Sequence, residues 1–386
     1  MSDITLPQIQ TKLPNVGTTI FTIMSRMAQE HGAINLSQGF PDFSGDPRLI
    51  DAVTHHMQVG HNQYAPMPGL LRLREAIAEK ANRLYQGSIN PETEITVTSG
   101  GTEALYAAIA ALVKEGDEVI VLEPAYDSYI PAIKLNGGIP IPIPLQHPDY
   151  SVDWAMVKNR MNLRTRMIIL NTPHNPTGAI LQQEDLETLQ KLTKDTDVIV
   201  LSDEVYEHIV FDEAQHHSVL RYPDLYQRSM AVFSFGKTYH VTGWKLGYCI
   251  APPALTKEFR KVHQYLTFAS PTPFQHAFAD FLAEKEAYEG LPAFYQAKRD
   301  LFGEAMADTP FELLPTSGTY FQLARYAAIS DKPDTEFAEW LTKKHGVATI
   351  PVSVFYQQPV DHQVVRFCFA KDDATLEAAA KKLRSL

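Results

Sequence analysis

The sequence predicts an α/β fold: a mostly parallel central sheet covered by helices, with a smaller α+β domain attached. Two observations lead there. Between residues 95 and 251, short runs rich in Val and Ile recur, and each ends abruptly in polar or small residues. The runs are continuous rather than alternating, which is the pattern of strands buried on both faces of a parallel sheet. Segments with apolar residues at helical spacing lie between several of them, and strand–helix alternation of this kind places helices on both sides of the sheet.

Along the chain, residues 1–45 read as short elements and turns, including "LSQGFPDFSGD", and are expected to join the smaller domain. Residues 46–285 form the predicted large domain. Its strands are signalled by "EITVTSGGTEAL", "DEVIVLEPAYDSY", "RMIILNTPHNPTG", "DVIVLSDEVY", "MAVFSFGK" and "LGYCIAP". "TEALYAAIAALVKEG" predicts a helix that stops at Gly116, and "QQEDLETLQKLTKD" a second. From about 255 to 290 the pattern is helical and long. Residues 286–386 carry alternating segments, "FELLPTSGTYFQLARY", "VATIPVSVF" and "VVRFCFA", then a terminal helix, "DDATLEAAAKKLRSL", which together predict the α+β domain.

Composition narrows the function classes. The chain has 386 residues, 45% hydrophobic and 20% charged, with a net charge of −11. No long basic run offers an electrostatic reason to bind nucleic acid or an anionic membrane. No apolar run is long enough to span a bilayer, and the N-terminus lacks a signal-type apolar core, so a reducing cytoplasm is the expected location. Two cysteines, Cys249 and Cys368, rule out a disulfide framework or a cysteine-based metal site. Fourteen histidines include the adjacent pairs His55–His56 and His216–His217, yet no spacing reads as a metal site, and none is expected.

In sheets of this kind, ligands bind outside the carboxyl ends of the strands. The unusual residues sit there. Lys237 follows the strand-like run Met230–Phe235. It is a surface lysine, or an amine desolvated enough to be nucleophilic and form a Schiff base. Asp203 ends an apolar strand, where an isolated carboxylate needs a partner; that partner is a cap or ion pair, or a protonated pyridine nitrogen. Tyr206 and Asn175 are placed to reach a ring oxygen, and Tyr126 to stack on a planar ring. Gly100, Gly101 and Thr102 open a helix, whose free N–H groups favour an anion such as phosphate. Ser234 and Lys245 add a hydroxyl and a cation to the same anion. Arg366 lies inside an apolar strand, as an internal ion pair or as a clamp on a substrate carboxylate.

Six segments, "NQYAPMPGLLRLREAIA", "TSGGTEAL", "NTPHNPTG", "DEVYEHIVFD", "SFGKTYHVTGWKLGY" and "RFCFAK", run in this order over most of the chain. Together they resemble the class I pyridoxal-phosphate aminotransferases of fold type I. "INLSQGFPDF" and "GWKLGY" are most similar to the subgroup of kynurenine aminotransferases, glutamine transaminase K and methionine aminotransferases. The resemblance implies that Lys237 carries pyridoxal 5'-phosphate and moves the substrate proton, with Asp203 on the pyridine nitrogen and Tyr206 and Asn175 on the phenolic oxygen. It implies Tyr126 on the ring face, Gly101, Thr102, Ser234 and Lys245 on the phosphate, and Arg366, Asn175 and the Gly39 backbone on the α-carboxylate. Tyr64 is implied to reach the phosphate from a neighbouring subunit, hence a homodimer. Lys245 stands where the broad family usually has Arg.

The implied reaction passes the amino group of an amino acid to a 2-oxo acid with ping-pong kinetics. "HQYLTFASPTPFQ" contains no arginine for a distal carboxylate; Phe268, with Phe21, is expected to line an apolar side-chain pocket. Methionine and large neutral or aromatic amino acids are the expected donors. A carbon–sulfur β-lyase shares the fold and remains open. A regulatory protein that only binds the cofactor is disfavoured by the complete residue set, and a nicotinamide enzyme by the lack of GxGxxG in the first βα unit.

Overall fold

The structure is a computed structural model that describes residues 9–358 and 360–386. Helices α1 (Ile20–Glu30), α2 (Pro47–Gln58) and α3 (Leu71–Tyr85) lead into the large sheet, with the short strand β1 (Ile34–Asn35) between the first two. The sheet comprises β2 (Ile95–Thr98), β3 (Glu118–Glu123), β4 (Ile139–Pro144), β5 (Thr165–Asn171), β6 (Ile199–Asp203), β7 (Ser229–Ser234) and β8 (Gly247–Ile250). Its seven strands run in the order β2-β8-β7-β6-β5-β3-β4. All pairings are parallel except those of β8, which is antiparallel to both β2 and β7.

Both faces are buried, for the reason the continuous runs suggested. Val119, Val121, Met167, Ile169, Leu201, Met230 and Val232 pack on one side against Ala104, Ala108 and Ile109 of α4 (Gly100–Leu112). The alternate residues Ile120, Ile168, Leu170, Val200, Ala231 and Phe233 enter a second core on the other side. Removing each such Val, Leu or Ile from water contributes about 1.5–3 kcal/mol.

Three local features differ from the sequence reading. The helix expected to stop at Gly116 ends at Leu112: Val113 is already extended, and the turn is tied by the Lys114 N–H donating to Asp117 Oδ2 at 2.8 Å. Gly116 serves that turn with φ +83°. Strand β4, "IPIPIP", was not foreseen because its three prolines each lack a donor; it is tolerated because, among the described residues, β4 is an edge strand paired with β3 alone. The long helical stretch after 253 is cut into Pro253–Leu266, Thr272–Phe281 and Glu286–Glu289, with prolines at the first two starts.

The C-terminal part holds a four-stranded antiparallel sheet of β9 (Glu312–Leu313), β10 (Phe321–Arg325), β12 (Ile350–Pro351) and β13 (Val364–Cys368), in the order β12-β13-β10-β9. β11 (Val347–Ala348) pairs in parallel with β1. Met24 and Met27 of α1 pack against Ala338, Ile350 and Phe355. The N-terminal segment is thereby anchored on the C-terminal part, and it carries Ser37 and Gly39 to the carboxyl edge of the large sheet.

Candidate active site

The strand register decides where side chains meet. Asn171 pairs with Asp203, Asp203 with Val232, and Ser234 with Gly247. The carboxyl ends of β5, β6 and β7 therefore open side by side onto one cavity of about 250 Å³. Phe21, Gly39, Gly100, Gly101, Thr102, Tyr126, Asn175, Asp203, Tyr206, Ser234, Lys237, Lys245 and Arg366 all line it. Tyr64 and Phe268 do not. They lie outside it, edge to face with ring centres 5.3 Å apart, and Tyr64 is 82% exposed.

Lys237 sits one short helical turn beyond β7, in Phe235–Thr238. Its Nζ donates to Tyr320 Oη at 2.9 Å and to Gly39 O at 3.1 Å, and the Tyr320 hydroxyl donates to the same carbonyl at 2.7 Å. Burial pushes the amine down to about 8, with Arg366 and Lys245 acting in the same direction. An amine in that range is partly neutral near neutral pH and therefore nucleophilic.

Asp203, 3% exposed, accepts from the Tyr129 hydroxyl at 2.6 Å. Burial raises its carboxyl to about 6, against the opposing effect of the Tyr129 bond. No cationic side chain makes an ion pair with it among the described residues, so it is set for a cation supplied by a ligand. Asn171, one strand over, donates from Nδ2 to Asp203 O at 3.0 Å and accepts the Asn175 N–H at 2.8 Å. It joins β6 to the turn that carries Asn175.

Arg366 is fully buried at the centre of β13. Nη1 donates to Asn175 Oδ1 at 2.7 Å and Nη2 to Ser37 O at 3.1 Å. Nε has no partner among the described residues. The guanidinium carbon lies 3.9 Å from the centre of the Phe321 ring and 5.4 Å from that of Phe21. Burial lowers its pKa to about 10, which leaves it charged at neutral pH. A Cβ on Gly39 would meet the Phe321 ring at 3.0 Å, so a larger residue here would push that ring aside.

At the other end, Gly100 starts α4 with φ +76°. The first N–H groups of a helix have no intrahelical acceptor, and they point outward with the positive end of the dipole. A Cβ on Gly100 would lie 3.4 Å from Lys245 Nζ, so that amine faces the same opening. Lys245 itself is held in the left-handed region at φ 51°. The cavity thus has an anion-binding end, a carboxylate lacking a cation, and a depressed amine. A phosphorylated pyridine aldehyde carries the complement of each, and the residues fit it.

Contributors absent from the sequence reading include Asn171, Tyr129, Tyr320 and Phe321, and also Ser37, Gln38 and Phe40. Asn171 and Tyr129 had a usable signal, since Asn171 ends a buried strand and Tyr129 closely follows Tyr126. Tyr320 and Phe321 had none, because they act across the boundary between the two sheets.

Comparison with known proteins agrees with this geometry. Residues 31–383 match the family model of aminotransferase class I and II. The chain is 55% identical over 378 residues to a methionine aminotransferase of Escherichia coli strain K12, covering 98% of each chain. A solved E. coli structure described as having a methionine aminotransferase function superposes with a TM-score of 0.97 at 55% identity, over 98% of this chain and 100% of the other. The human kynurenine–oxoglutarate transaminase 1 is 34% identical over 395 residues, with 93% of each chain covered. The chain therefore belongs to the class I and II aminotransferases, with the fold type I architecture, and is a pyridoxal-phosphate-dependent transaminase acting on amino acids and 2-oxo acids.

Proposed function

We propose that this transaminase takes its amino group from methionine and from other large neutral or aromatic amino acids. The observation that carries the side-chain preference is the charge inventory of the cavity. Among the described residues, its lining cations are Lys237, Lys245 and Arg366. Once these serve the proton transfer, the phosphate and the α-carboxylate, none is left for a distal carboxylate. Phe21 and Phe40 line the cavity with Gln38, and an unpaired acid buried beside them costs several kcal/mol. The E. coli relative named for methionine supports the same choice.

When bound, pyridoxal phosphate supplies an electrophilic carbonyl carbon and a ring that takes up the electron pair left by loss of a proton. The chain's residues do the rest. Gly101, Thr102, Ser234 and Lys245 hold the phosphate at the start of α4, with Gly100 shaping the turn. Asp203, braced by Tyr129, keeps the ring nitrogen protonated. Tyr206 and Asn175 donate to the ring oxygen, and Tyr126 covers a face. Arg366 orients the substrate carboxylate with Asn175 and the Gly39 backbone, so that Cα–H points at Lys237. Lys237 Nζ would accept the Cα proton and give one up again from the same position. Tyr320 and Gly39 O, which hold Nζ in the structure, would keep the amine over the cavity whenever it is not bonded to the cofactor.

We also propose a homodimer in which Tyr64 and Phe268 complete the partner's cavity. Supporting this, Tyr64, Tyr265, Leu266 and Phe268 present exposed apolar surface outside their own cavity. We take residues 1–45 to be joined to a small domain of 286–386, beside a large domain of 46–285. We place the protein in the cytoplasm, where its two buried free cysteines stay reduced. Among the described residues, no helix is long and apolar enough to cross a membrane.

The deciding experiment follows the visible cofactor band of the purified protein on adding methionine alone, then a 2-oxo acid. Loss of the band and its return is the expected result. A band that methionine leaves unchanged while phenylalanine or tyrosine removes it would refute methionine as donor.

A further inference from the structure

We propose that His56, His61 and His276 form a binding site for a divalent transition-metal ion of the zinc class, separate from the cofactor cavity. One ring nitrogen from each lies within 4.8 Å of the others, and none of the three lines the cavity. The arrangement is built by the chain. His56 is in the last turn of α2; the backbone then reverses through Gly60, φ +96°, and the His61 N–H closes the turn on His56 O at 3.0 Å. His276 comes from the helix Thr272–Phe281, which packs against α2. The sequence reading expected no metal because these residues share no motif spacing; only the helix packing unites them.

The orientation of His56 is the strongest pointer. Its Nε2 lies 2.8 Å from Asp280 Oδ2, and Arg72 holds the other carboxylate oxygen. An ionised carboxylate only accepts, so Nε2 of His56 carries a proton, and in the neutral imidazole Nδ1 presents a lone pair. That Nδ1 faces His61 Nδ1 at 3.0 Å. A carboxylate fixing the far nitrogen is the usual support of a metal-ligating histidine.

The remaining geometry agrees. A tetrahedral ion with bonds of about 2.1 Å sets its ligand nitrogens about 3.4 Å apart. The observed 3.0 Å, and the 4.8 Å limit for the set, bracket that spacing, and because the three rings lie within 14° to 30° of parallel, ring rotations must turn their lone pairs onto one ion. The rings of His61 and His276 stack with centres 3.8 Å apart. With His61 neutral, binding moves its proton from Nδ1 to Nε2, and no net proton is released. Three nitrogens leave one position for water, and imidazole ligands select zinc, copper or nickel over calcium or magnesium. His61 and His276 are only partly buried, so an ion can enter.

The test uses tag-free holoenzyme, washed with chelator and titrated with Zn2+ alone by calorimetry, with bound metal counted after dialysis. One tightly held Zn2+ per chain is expected. His61→Gln and His276→Gln should each lower its affinity at least about tenfold, and Asp280→Asn about tenfold through loss of orientation. The cofactor band should stay unchanged in all three. Failure to retain stoichiometric Zn2+, or equal retention in the two histidine variants, would overturn the proposal, because the metal would then be held elsewhere or not at all.

Discussion

Replacing Arg366 by lysine tests the substrate-binding half of the mechanism with the charge kept in place. In the structure the guanidinium spends Nη1 on Asn175 and Nη2 on Ser37 O, and Phe321 fixes its plane from 3.9 Å. Nε–H, without a partner among the described residues, and the remaining donors of the fork are free for a carboxylate. A lysine ammonium is a point charge and cannot keep both the Asn175 and Ser37 bonds and a two-pronged contact. At least one charge-assisted hydrogen bond to the substrate is lost, about 1.5–3 kcal/mol. That converts to a drop of about 10- to 150-fold in kcat/KM. The carboxylate does not change during the reaction, so the loss should fall mostly on KM. The assay is the methionine half-reaction followed by absorbance, run beside methionine amide, which lacks the carboxylate. Wild type should prefer methionine, and Arg366→Lys should narrow that preference while reaction with the amide changes little. Equal losses for the two substrates would mean a damaged site, and the carboxylate role for Arg366 would be refuted.

Other outcomes follow from the same geometry. Lys245→Ala should weaken retention of pyridoxal phosphate by about tenfold or more with the thermal midpoint of the apoprotein unchanged, since one charge-assisted contact is removed from the cofactor's phosphate; dialysis and band intensity measure it. Asp203→Asn keeps the shape and can still accept from Tyr129, but loses the charge, and kcat should fall at least about a hundredfold, as read from single-turnover rates. Because burial lowers Lys237 to about 8, the neutral amine is the minor form below that pH and the major form above it. The rate at which apoprotein captures free pyridoxal phosphate should therefore rise about tenfold per pH unit up to about 8 and then level; a flat profile from pH 6 to 9 would contradict a depressed amine.

Much of this protein can be read from its residues in order. The buried Val and Ile runs specify strands covered on both faces, and a parallel sheet brings all their carboxyl ends to one edge. Lys237, Asp203, Asn175 and the Gly100–Gly101–Thr102 helix start were legible because each interrupts an apolar run with a group that is costly to bury unpaired. Strand β4 escaped because its prolines mask the signal that edge pairing tolerates.

Tertiary structure alone decided the rest. Arg366 reads from sequence as an oddity in a strand, but its partners lie 191 and 329 residues away, at Asn175 and Ser37. Tyr320, just before β10, reaches Lys237 across 83 residues of chain. His56, His61 and His276 meet only because α2 lies along the helix Thr272–Phe281. The physical reason is common to all three. Periodicity reports how each residue is buried relative to its neighbours in the chain, whereas a polar contact between distant segments depends on how whole elements pack, and no local pattern encodes that angle.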